Sequence, residues 1–310
     1  MRGPLGDSER ENPDSLAGET GVQGIEALPT KIDRYGKAKR GALDVVDYMA
    51  TIPEHQATAH KVRTCGDYLI FRHYYTVDQV RLHGASLCKK HLLCPLCAIR
   101  RGAKALKAYA DRFEIIKAEK PKLLPFLITL TVKDGPDLKE RFKHLFRSQH
   151  ELWKRKRRGR GSVLDGVQGA VWSYEIKRGT GSGLWHPHLH MIALAESQPD
   201  AFELATEWKN ITGDSFIVHV TPIDEEDHIS GFMEVFKYAV KFSDQPPADT
   251  VHAWLTLAGK RLLGSAGCFR GVEVPESLLD DPEGLGELPY VTLFYRYLHN
   301  RGYSLQKSGN

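Results

Sequence analysis

The chain has 310 residues, and its 43 Lys and Arg against 39 Asp and Glu give a net charge of +4 at pH 7. This length holds one large domain or two smaller ones, and the composition is that of a soluble globular protein. No apolar run approaches the ~20 residues that span a bilayer, and the N-terminus lacks the apolar core of a secretory signal. We therefore exclude a membrane protein and expect a cytoplasmic one, in which cysteines seldom form disulfides.

The first 120 residues divide into a tail and a cysteine-containing segment. Residues 1–40 are polar and Gly-rich with little periodicity, which predicts a flexible N-terminal tail. Residues 41–64 have a weak helical pattern, and basic residues recur at helical spacing between Leu96 and Ala118. We therefore predict a helical and zinc-binding segment over residues 41–120.

Four cysteines in this segment have the spacing of a structural zinc site. Cys94 and Cys97 form a C-x₂-C pair, and two further cysteines lie upstream of it. A redox-active pair is the alternative, but four cysteines in a reducing compartment favour a metal. The predicted Zn²⁺ ligands are Cys65, Cys88, Cys94 and Cys97, with His91 or His83 as substitutes for Cys65.

Residues 121–271 alternate between strand and helix patterns. Apolar residues recur at every second position in the strands, and a Gly-rich loop joins two of them as a hairpin. Such a mixture indicates an α+β domain with an antiparallel sheet and helices on one face. A linker is predicted over residues 243–253, and a C-terminal strand and hairpin extension over 272–310. The predicted strands of the core are 126–132, 167–177, 185–194 and 216–222, and its helices are 137–155, 200–211 and 229–242.

Three histidines stand at alternate positions of one predicted strand, in the sequence WHPHLHMIAL. Successive side chains of a strand point to opposite faces, so His186, His188 and His190 share one face. Glu175 lies on the preceding strand and is the best third ligand beside His188 and His190. Such a set suits Mn²⁺ or Mg²⁺ acting on a phosphate, and Zn²⁺ would also fit. His186 remains open as a ligand, a hydrogen-bonding neighbour of the ligands or a DNA contact.

The predicted helix over residues 229–242 places three chemically active side chains on one face. Glu234 and Tyr238 are four residues apart, and Lys241 is three beyond the tyrosine. A tyrosine can attack a phosphate, a carboxylate can activate water, and a lysine can balance negative charge. The alternative is an amphipathic helix with Tyr238 in the core and the charges at its solvated edge.

Two basic runs suit a phosphate backbone. One lies on the helix that follows the cysteines, and the other lies at the end of the helix predicted over 137–155. A nuclear-import signal or a solvated helix end would give the same pattern. The candidate DNA-binding residues are Arg100, Arg101, Lys104, Lys154, Arg155, Arg157 and Arg158.

The ordered motifs resemble a known family. The set FLITLTVK, Glu175, HPHLHMIAL and ExxxY with KYxxK is similar to the rolling-circle plasmid replication initiators of the HUH endonuclease superfamily, in their single-tyrosine branch. The block LCKKHLLCPLCAIRRGAK resembles the cysteine-rich block of that family, and the likeness runs from about Asp44 to Gly271. It implies a ferredoxin- or RRM-like antiparallel sheet with the active site on its open face.

The resemblance also implies a reaction and its partners. Tyr238 would attack a phosphodiester of single-stranded DNA at the replication origin, giving a 5′-phosphotyrosyl link and a free 3′-OH. His188 and His190 match the metal-binding pair of the family, Glu175 the third ligand, and Glu234 the residue that ends a replication round by hydrolysis. A host polymerase would extend the 3′-OH and a host helicase would unwind the duplex. A homodimer remains open.

Two other functions remain as alternatives. A transposase or conjugative relaxase would use the same chemistry, but the single KYxxK tyrosine and the chain length favour replication. A non-catalytic, zinc-containing DNA-binding regulator would explain the cysteines and the basic runs. It would leave Glu175, His188, His190, Glu234 and Tyr238 unexplained.

Overall fold

The computed structural model of the protein describes residue 19 and residues 23–159, 161–237, 245–282 and 284–309. Within these ranges, no helix is both long enough and apolar enough to cross a lipid bilayer. The helices are α1 (Leu28–Met49), α2 (Gln56–Arg63), α3 (Pro95–Glu119), α4 (Leu138–Arg157), α5 (Ala201–Thr212), α6 (His228–Phe236) and α7 (Pro247–Leu257). The strands are β1 (Tyr68–Tyr74), β2 (Gln79–Ala85), β3 (Leu124–Thr131), β4 (Gly169–Arg178), β5 (Trp185–Ala195), β6 (Val218–Pro222), β7 (Leu263–Gly267), β8 (Val291–Leu298) and β9 (Gly302–Gly309).

The larger sheet has five antiparallel strands in the order β6-β3-β5-β4-β7. Its central strand β5 is the histidine strand, and one face of it is wholly apolar. Leu189 and Met191 on that face pack with Tyr174 of β4 against Phe142 and Leu145 of α4. Asp137 caps α4 as expected, since its side chain accepts a hydrogen bond from the Glu140 amide. The predicted α+β class with an antiparallel sheet is confirmed.

The histidine-bearing face of this sheet is apolar at one end and polar at the other. At the apolar end, Val171 of β4 and Ile192 of β5 belong to a cluster with Phe232 and Phe236 of α6 and with the C-terminal half of α3. Helices therefore lie on both faces of the sheet, whereas the sequence predicted helices on one face only. The reason is that exposed valine and isoleucine side chains here would be costly.

A second, smaller sheet joins the two ends of the described chain in the order β2-β1-β8-β9. Its inner face packs against α1, where Leu69, Phe71 and Leu82 meet Tyr35 and Val46. The strand predicted near the C-terminus is β8, and its partner in the sheet is β1. The segment predicted as helical over 41–120 also contains the β-hairpin β1–β2. The inner side chains of this hairpin are buried against α1, and β1 pairs with β8, which is far away in sequence.

Two predictions of irregular structure are wrong. Residues 28–40 are not a flexible tail but the first half of α1, in which Leu28, Tyr35 and Ala38 are buried. The predicted linker over 243–253 contains the start of α7, with Pro247 at its first turn and Val251 buried. In both segments tertiary burial stabilises a helix that the polar composition did not indicate.

Candidate active site

Glu175, His188 and His190 meet at the polar end of the histidine-bearing face. Glu175 is directly opposite His188 in the β4–β5 ladder, and His190 is the next residue on that face. The Nε2 atoms of His188 and His190 lie 3.3 and 3.1 Å from the same carboxylate oxygen, Glu175 Oε2. All three residues are at least nine-tenths buried. The predicted ligand group is therefore assembled in space.

Both imidazole rings are held by their other nitrogen. His190 Nδ1 lies 3.1 Å from the hydroxyl of Thr129 on β3, and His188 Nδ1 lies 3.4 Å from the carbonyl oxygen of His186. With Nδ1–H donating to these acceptors, each Nε2 presents a lone pair towards Glu175. Burial lowers the pKa of His188, against the opposing effect of the Glu175 carboxylate. A lowered pKa favours the neutral ring, which is the form that binds a metal.

The distances in this group fit a bound cation. Neighbouring ligands of an octahedral ion with bonds of about 2.1 Å lie about 3.0 Å apart, and those of a tetrahedral zinc about 3.4 Å apart. The two separations of 3.3 and 3.1 Å lie within that range. Three donors of mixed type leave coordination positions for water or substrate. The group could bind Mn²⁺, Mg²⁺ or Zn²⁺, and its residues fit such an ion.

His186 is not part of this group. Its Nδ1 lies 2.5 Å from Asp134 Oδ1, and Ser182 hydrogen-bonds the other oxygen of Asp134. Burial raises the pKa of Asp134, but the hydrogen bonds from Ser182 and His186 outweigh it and lower that pKa overall. Glu175, rather than His186, accompanies the histidine pair. Asp134 and Thr129 were missed from sequence; strand alternation would have indicated Thr129, but no local signal indicates Asp134.

Helix α6 leads towards this polar end. The hydroxyl of Ser173, opposite His190 in the ladder, donates a 2.6 Å hydrogen bond to the carbonyl of Val235. Phe236, the last residue of α6, is fully buried and stacks on Tyr109 of α3. The last turn of α6 is therefore fixed beside the strand positions that carry the ligands.

The predicted catalytic residues of this helix are only partly described. Glu234 lies on α6, is about one-third exposed, and accepts a 2.5 Å hydrogen bond from Lys237 Nζ. Tyr238 and Lys241 lie outside the described residues. The positions of both therefore remain predictions, as does the catalytic role of all three.

The four predicted cysteines also meet. Three sulfur pairs lie 3.5–3.6 Å apart, close to the spacing of about 3.8 Å in a tetrahedral zinc site. Cys88 N–H points at Cys65 Sγ over 3.3 Å, and Cys97 lies in the first turn of α3, where the helix dipole favours a thiolate. The neighbouring sulfurs and burial raise the pKa of Cys94, a penalty that a cation removes. The group is Cys65, Cys88, Cys94 and Cys97, so Cys65 joins it in place of the histidine alternatives.

Arg100 is not a surface residue, which corrects its prediction as a DNA contact. Its side chain is 1% exposed. It donates to the carbonyl of Leu278 and to Glu19, both at 2.7 Å, and pairs with Asp280. Burial raises the pKa of Asp280, but the charges of Arg100 and Lys31 lower it on balance. Arg100 is thus a buried cation between two carboxylates, because the face of α3 that carries it packs inward.

The other basic residues remain accessible to different degrees. Arg157 and Arg158 are exposed at the end of α4. Lys154 and Arg155 are partly exposed and both approach Glu151, at 3.4 and 3.8 Å. On α3, Arg101 donates to the carbonyl of Pro275 and Lys104 is half-buried, which lowers its pKa. Their contacts with DNA stay a prediction.

The fold and its two clusters define an α+β protein with two groups of residues suited to metal ions. A family model described as "Replication protein" matches residues 79–288, and the chain belongs to this replication protein family. The resemblance to plasmid rolling-circle replication initiators is confirmed.

Curated relatives agree with this assignment. The chain is 24% identical over 268 residues to "Protein rep" of a Bacillus species, covering 75% of this chain and 85% of the relative. It is 25% identical over 252 residues to "Protein rep" of Streptococcus pneumoniae, covering 74% and 76%, and 26% identical over 259 residues to that of Lactiplantibacillus plantarum, covering 75% and 78%. No solved structure matches the chain.

Proposed function

We propose that this protein is a metal-dependent DNA endonuclease and strand transferase of the HUH type. It would nick and rejoin one strand of origin DNA through a 5′-phosphotyrosyl intermediate on Tyr238. One observation carries this proposal. The group Glu175, His188 and His190 occupies the face on which α6 packs, and the Ser173–Val235 hydrogen bond fixes the end of α6 that leads into Tyr238.

The residues divide the reaction between them. The phenol of Tyr238 loses its proton and its oxygen bonds to the phosphorus, while the bond to the 3′-oxygen breaks and that oxygen takes up a proton. When bound by Glu175, His188 and His190, Mn²⁺ or Mg²⁺ would neutralise a non-bridging phosphate oxygen. Lys241 would balance the developing negative charge. The covalent link conserves the phosphodiester energy, so rejoining needs no ATP.

Glu234 would end the replication round. It lies one turn before Tyr238 in sequence, and a carboxylate there can take a proton from water as the water attacks the phosphotyrosyl bond. Its pairing with Lys237 holds the side chain at the end of α6. The products would be a free tyrosine and a 5′-phosphate.

Unwinding, strand extension and DNA binding would also be needed for replication. The chain has no GxxxxGK[ST] motif, so a host helicase would unwind the duplex and a host polymerase would extend the 3′-OH. Zn²⁺ bound by the four cysteines would stabilise the segment that carries the basic face of α3. Exposed Arg157 and Arg158 are candidates for contacts with the phosphate backbone.

Nucleophilic attack by Tyr238 is tested by nicking and by mass spectrometry. Single-stranded oligonucleotides that tile the plasmid encoding this protein are incubated with it and Mn²⁺. We expect a nucleotide adduct on Tyr238 and a cleaved strand with a 3′-OH. Tyr238→Phe should abolish both while leaving DNA binding intact, and Tyr75→Phe, at a half-exposed turn position, should keep full activity. Full nicking by Tyr238→Phe refutes the nucleophile. DNA binding without any nicking by the unmodified protein supports the non-catalytic regulator instead.

The role of Glu234 is tested by following the fate of the covalent complex. Glu234→Ala should nick at near-normal rate but accumulate the DNA adduct, because water is no longer activated. Glu226→Ala, an exposed carboxylate before α6, should release DNA as the unmodified protein does. Unchanged release from Glu234→Ala would assign hydrolysis to another residue.

A further inference from the structure

The smaller sheet has an unusual charge content. None of its four strands contains an aspartate or a glutamate. They carry the cations Arg72, Arg81, Arg296 and Lys307, distributed over all four strands. The whole chain has almost equal numbers of acidic and basic residues, so the absence of carboxylates from the strands of this sheet is a local feature. Such a cationic surface attracts a polyanion.

The register places these cations on the outer face. Arg72 is opposite Arg81 of β2, and Lys307 of β9 is opposite Phe294 of β8. Arg296 is opposite Tyr68 of β1. The inner face is the apolar one packed on α1, so the four cations point away from the core.

The cations on this face are not neutralised within the described chain. Like charges directly opposite each other destabilise a sheet, yet Arg72 and Arg81 are such a pair. Among the described residues, no carboxylate lies within salt-bridge distance of Arg72, Arg81, Arg296 or Lys307. Partial burial and then the charge of Arg72 lower the pKa of the neighbouring His83. None of the four charges is therefore neutralised by a direct ion pair, and the guanidinium of Arg72 lies over the ring of Tyr290, 4.2 Å from its centroid.

Two aromatic rings lie among these cations. Tyr68 is 38% exposed, and its ring lies 6.2 Å from that of Phe294 with an angle of 31° between the planes. The two rings form a tilted pair between Arg296 and Lys307, their partners across the ladder. An antiparallel sheet that presents aromatic rings among basic side chains suits an unpaired nucleic acid strand, because bases stack on the rings and phosphates meet the cations.

We propose that the outer face of the smaller sheet is a second binding surface for single-stranded DNA, separate from the nicking site. Phosphates would contact Arg72, Arg81, Arg296 and Lys307, and bases would stack on Tyr68 and Phe294. That the strand is DNA rests on the proposed function. A duplex is the poorer fit, since its bases are already stacked and cannot reach flat rings on a sheet. The surface would hold the strand that nicking and unwinding expose.

The charges are tested by fluorescence anisotropy. The full chain is titrated into labelled oligothymidylate with a chelator present, so that no nicking occurs. Arg72→Gln with Arg81→Gln should weaken binding and flatten the salt dependence by up to about 1.4 log units per log unit of salt, about 0.7 for each phosphate that is no longer neutralised. The matched control is Lys37→Gln with Lys61→Gln, which removes the same charge from two exposed lysines outside both the smaller sheet and α3 and should change neither. Equal salt slopes for all three proteins overturn the proposal.

The rings are tested by substitution and by crosslinking. Tyr68→Ala should weaken oligothymidylate binding roughly 5- to 150-fold, the range for removing one stacked base, while a thermal melt shows that the protein is still folded. Because Phe294→Ala removes a more buried ring, the unmodified protein is also photocrosslinked to an iododeoxyuridine-substituted strand. Crosslinks on the peptides containing Tyr68 or Phe294 support the surface. Crosslinks confined to other peptides overturn it, as does a duplex that competes as well as the single strand.

These outcomes are separable from the proposed nicking. Loss of nicking in Tyr238→Phe leaves the chelator-treated binding assay unaffected. Conversely, Arg72→Gln with Arg81→Gln keeps the Glu175–His188–His190 group intact. If the arginine variant nicks normally and binds oligothymidylate normally, only the second surface is refuted.

Discussion

The two clusters of potential ligands differ in how the chain assembles them. The cysteine group draws its members from three separate segments: the turn after α2, the turn after β2 and the start of α3. The sheet group, Glu175, His188 and His190, comes from two adjacent strands already joined by a continuous hydrogen-bond ladder. A cation among the sulfurs would therefore hold segments together, whereas a cation on the sheet would add little to a scaffold that is already rigid.

The donor atoms of the two groups also point to a structural role for the cysteine group and a chemical role for the sheet group. Four sulfurs close the coordination sphere of Zn²⁺, which is typical of structural sites. Two imidazoles and one carboxylate leave open positions, which is typical of catalytic ones. Stability should therefore depend on the cysteine group and chemistry on the sheet group, and each can be perturbed without the other.

The largest expected effect separates chemistry from stability at the sheet. His188→Ala with His190→Ala should reduce nicking about 1000-fold or more, because several kcal/mol of transition-state stabilisation by a metal is removed. The melting temperature should fall, because two buried rings beside the buried Glu175 are lost, but the protein should stay folded, since the ladder of β4 and β5 remains. The measurement is single-turnover cleavage with Mn²⁺ beside a thermal melt. His60→Ala with His150→Ala, two exposed histidines on α2 and α4, is the control. A double variant that unfolds, or one that still cleaves, would break the comparison.

The second effect concerns stability without chemistry. Cys94→Ser should lower the free energy of unfolding by about 4 kcal/mol or more, the size expected when a structural metal no longer binds. Zinc content by mass spectrometry should fall in parallel. Cys268→Ser is the matched control, because Cys268 lies outside the group of four. Full zinc occupancy in Cys94→Ser would contradict the assignment.

The smallest effect tests the support of the ligands. Thr129→Val removes the hydroxyl next to His190 Nδ1 and leaves every ligand in place. Metal affinity should fall about 10- to 100-fold, as when other hydrogen-bond partners of metal-binding histidines are removed, and higher Mn²⁺ should restore nicking. Thr131→Val is the control on the same strand face, since its hydroxyl bonds the carbonyl of Ile217 instead. The Mn²⁺ concentration at half-maximal cleavage measures both, and equal values would show that the hydroxyl has no such role.

Sequence reasoning succeeded where the governing rule is local. The two-residue period of a strand placed His188 and His190 on one face, and β4 and β5 have the predicted antiparallel pairing that brings Glu175 to them. The spacing of Cys94 and Cys97 likewise indicated a shared site. Sequence reasoning failed where the burial or contacts of a residue depend on segments far away in the chain. Arg100 was predicted to be exposed because helical spacing does not state which face is buried, and Asp280, its partner, is 180 residues away.

The chain by itself determined which donor atoms are present and at what spacing, and these are enough to indicate two metal-type sites and the family. Only the tertiary structure decided that Cys65 rather than a histidine completes the sulfur group, that Asp134 engages His186, and that the cationic side of β1 and β8 faces outward. The reason is that periodicity fixes directions within one element, while contacts between elements are fixed by packing, which removes apolar surface from water wherever distant segments fit together.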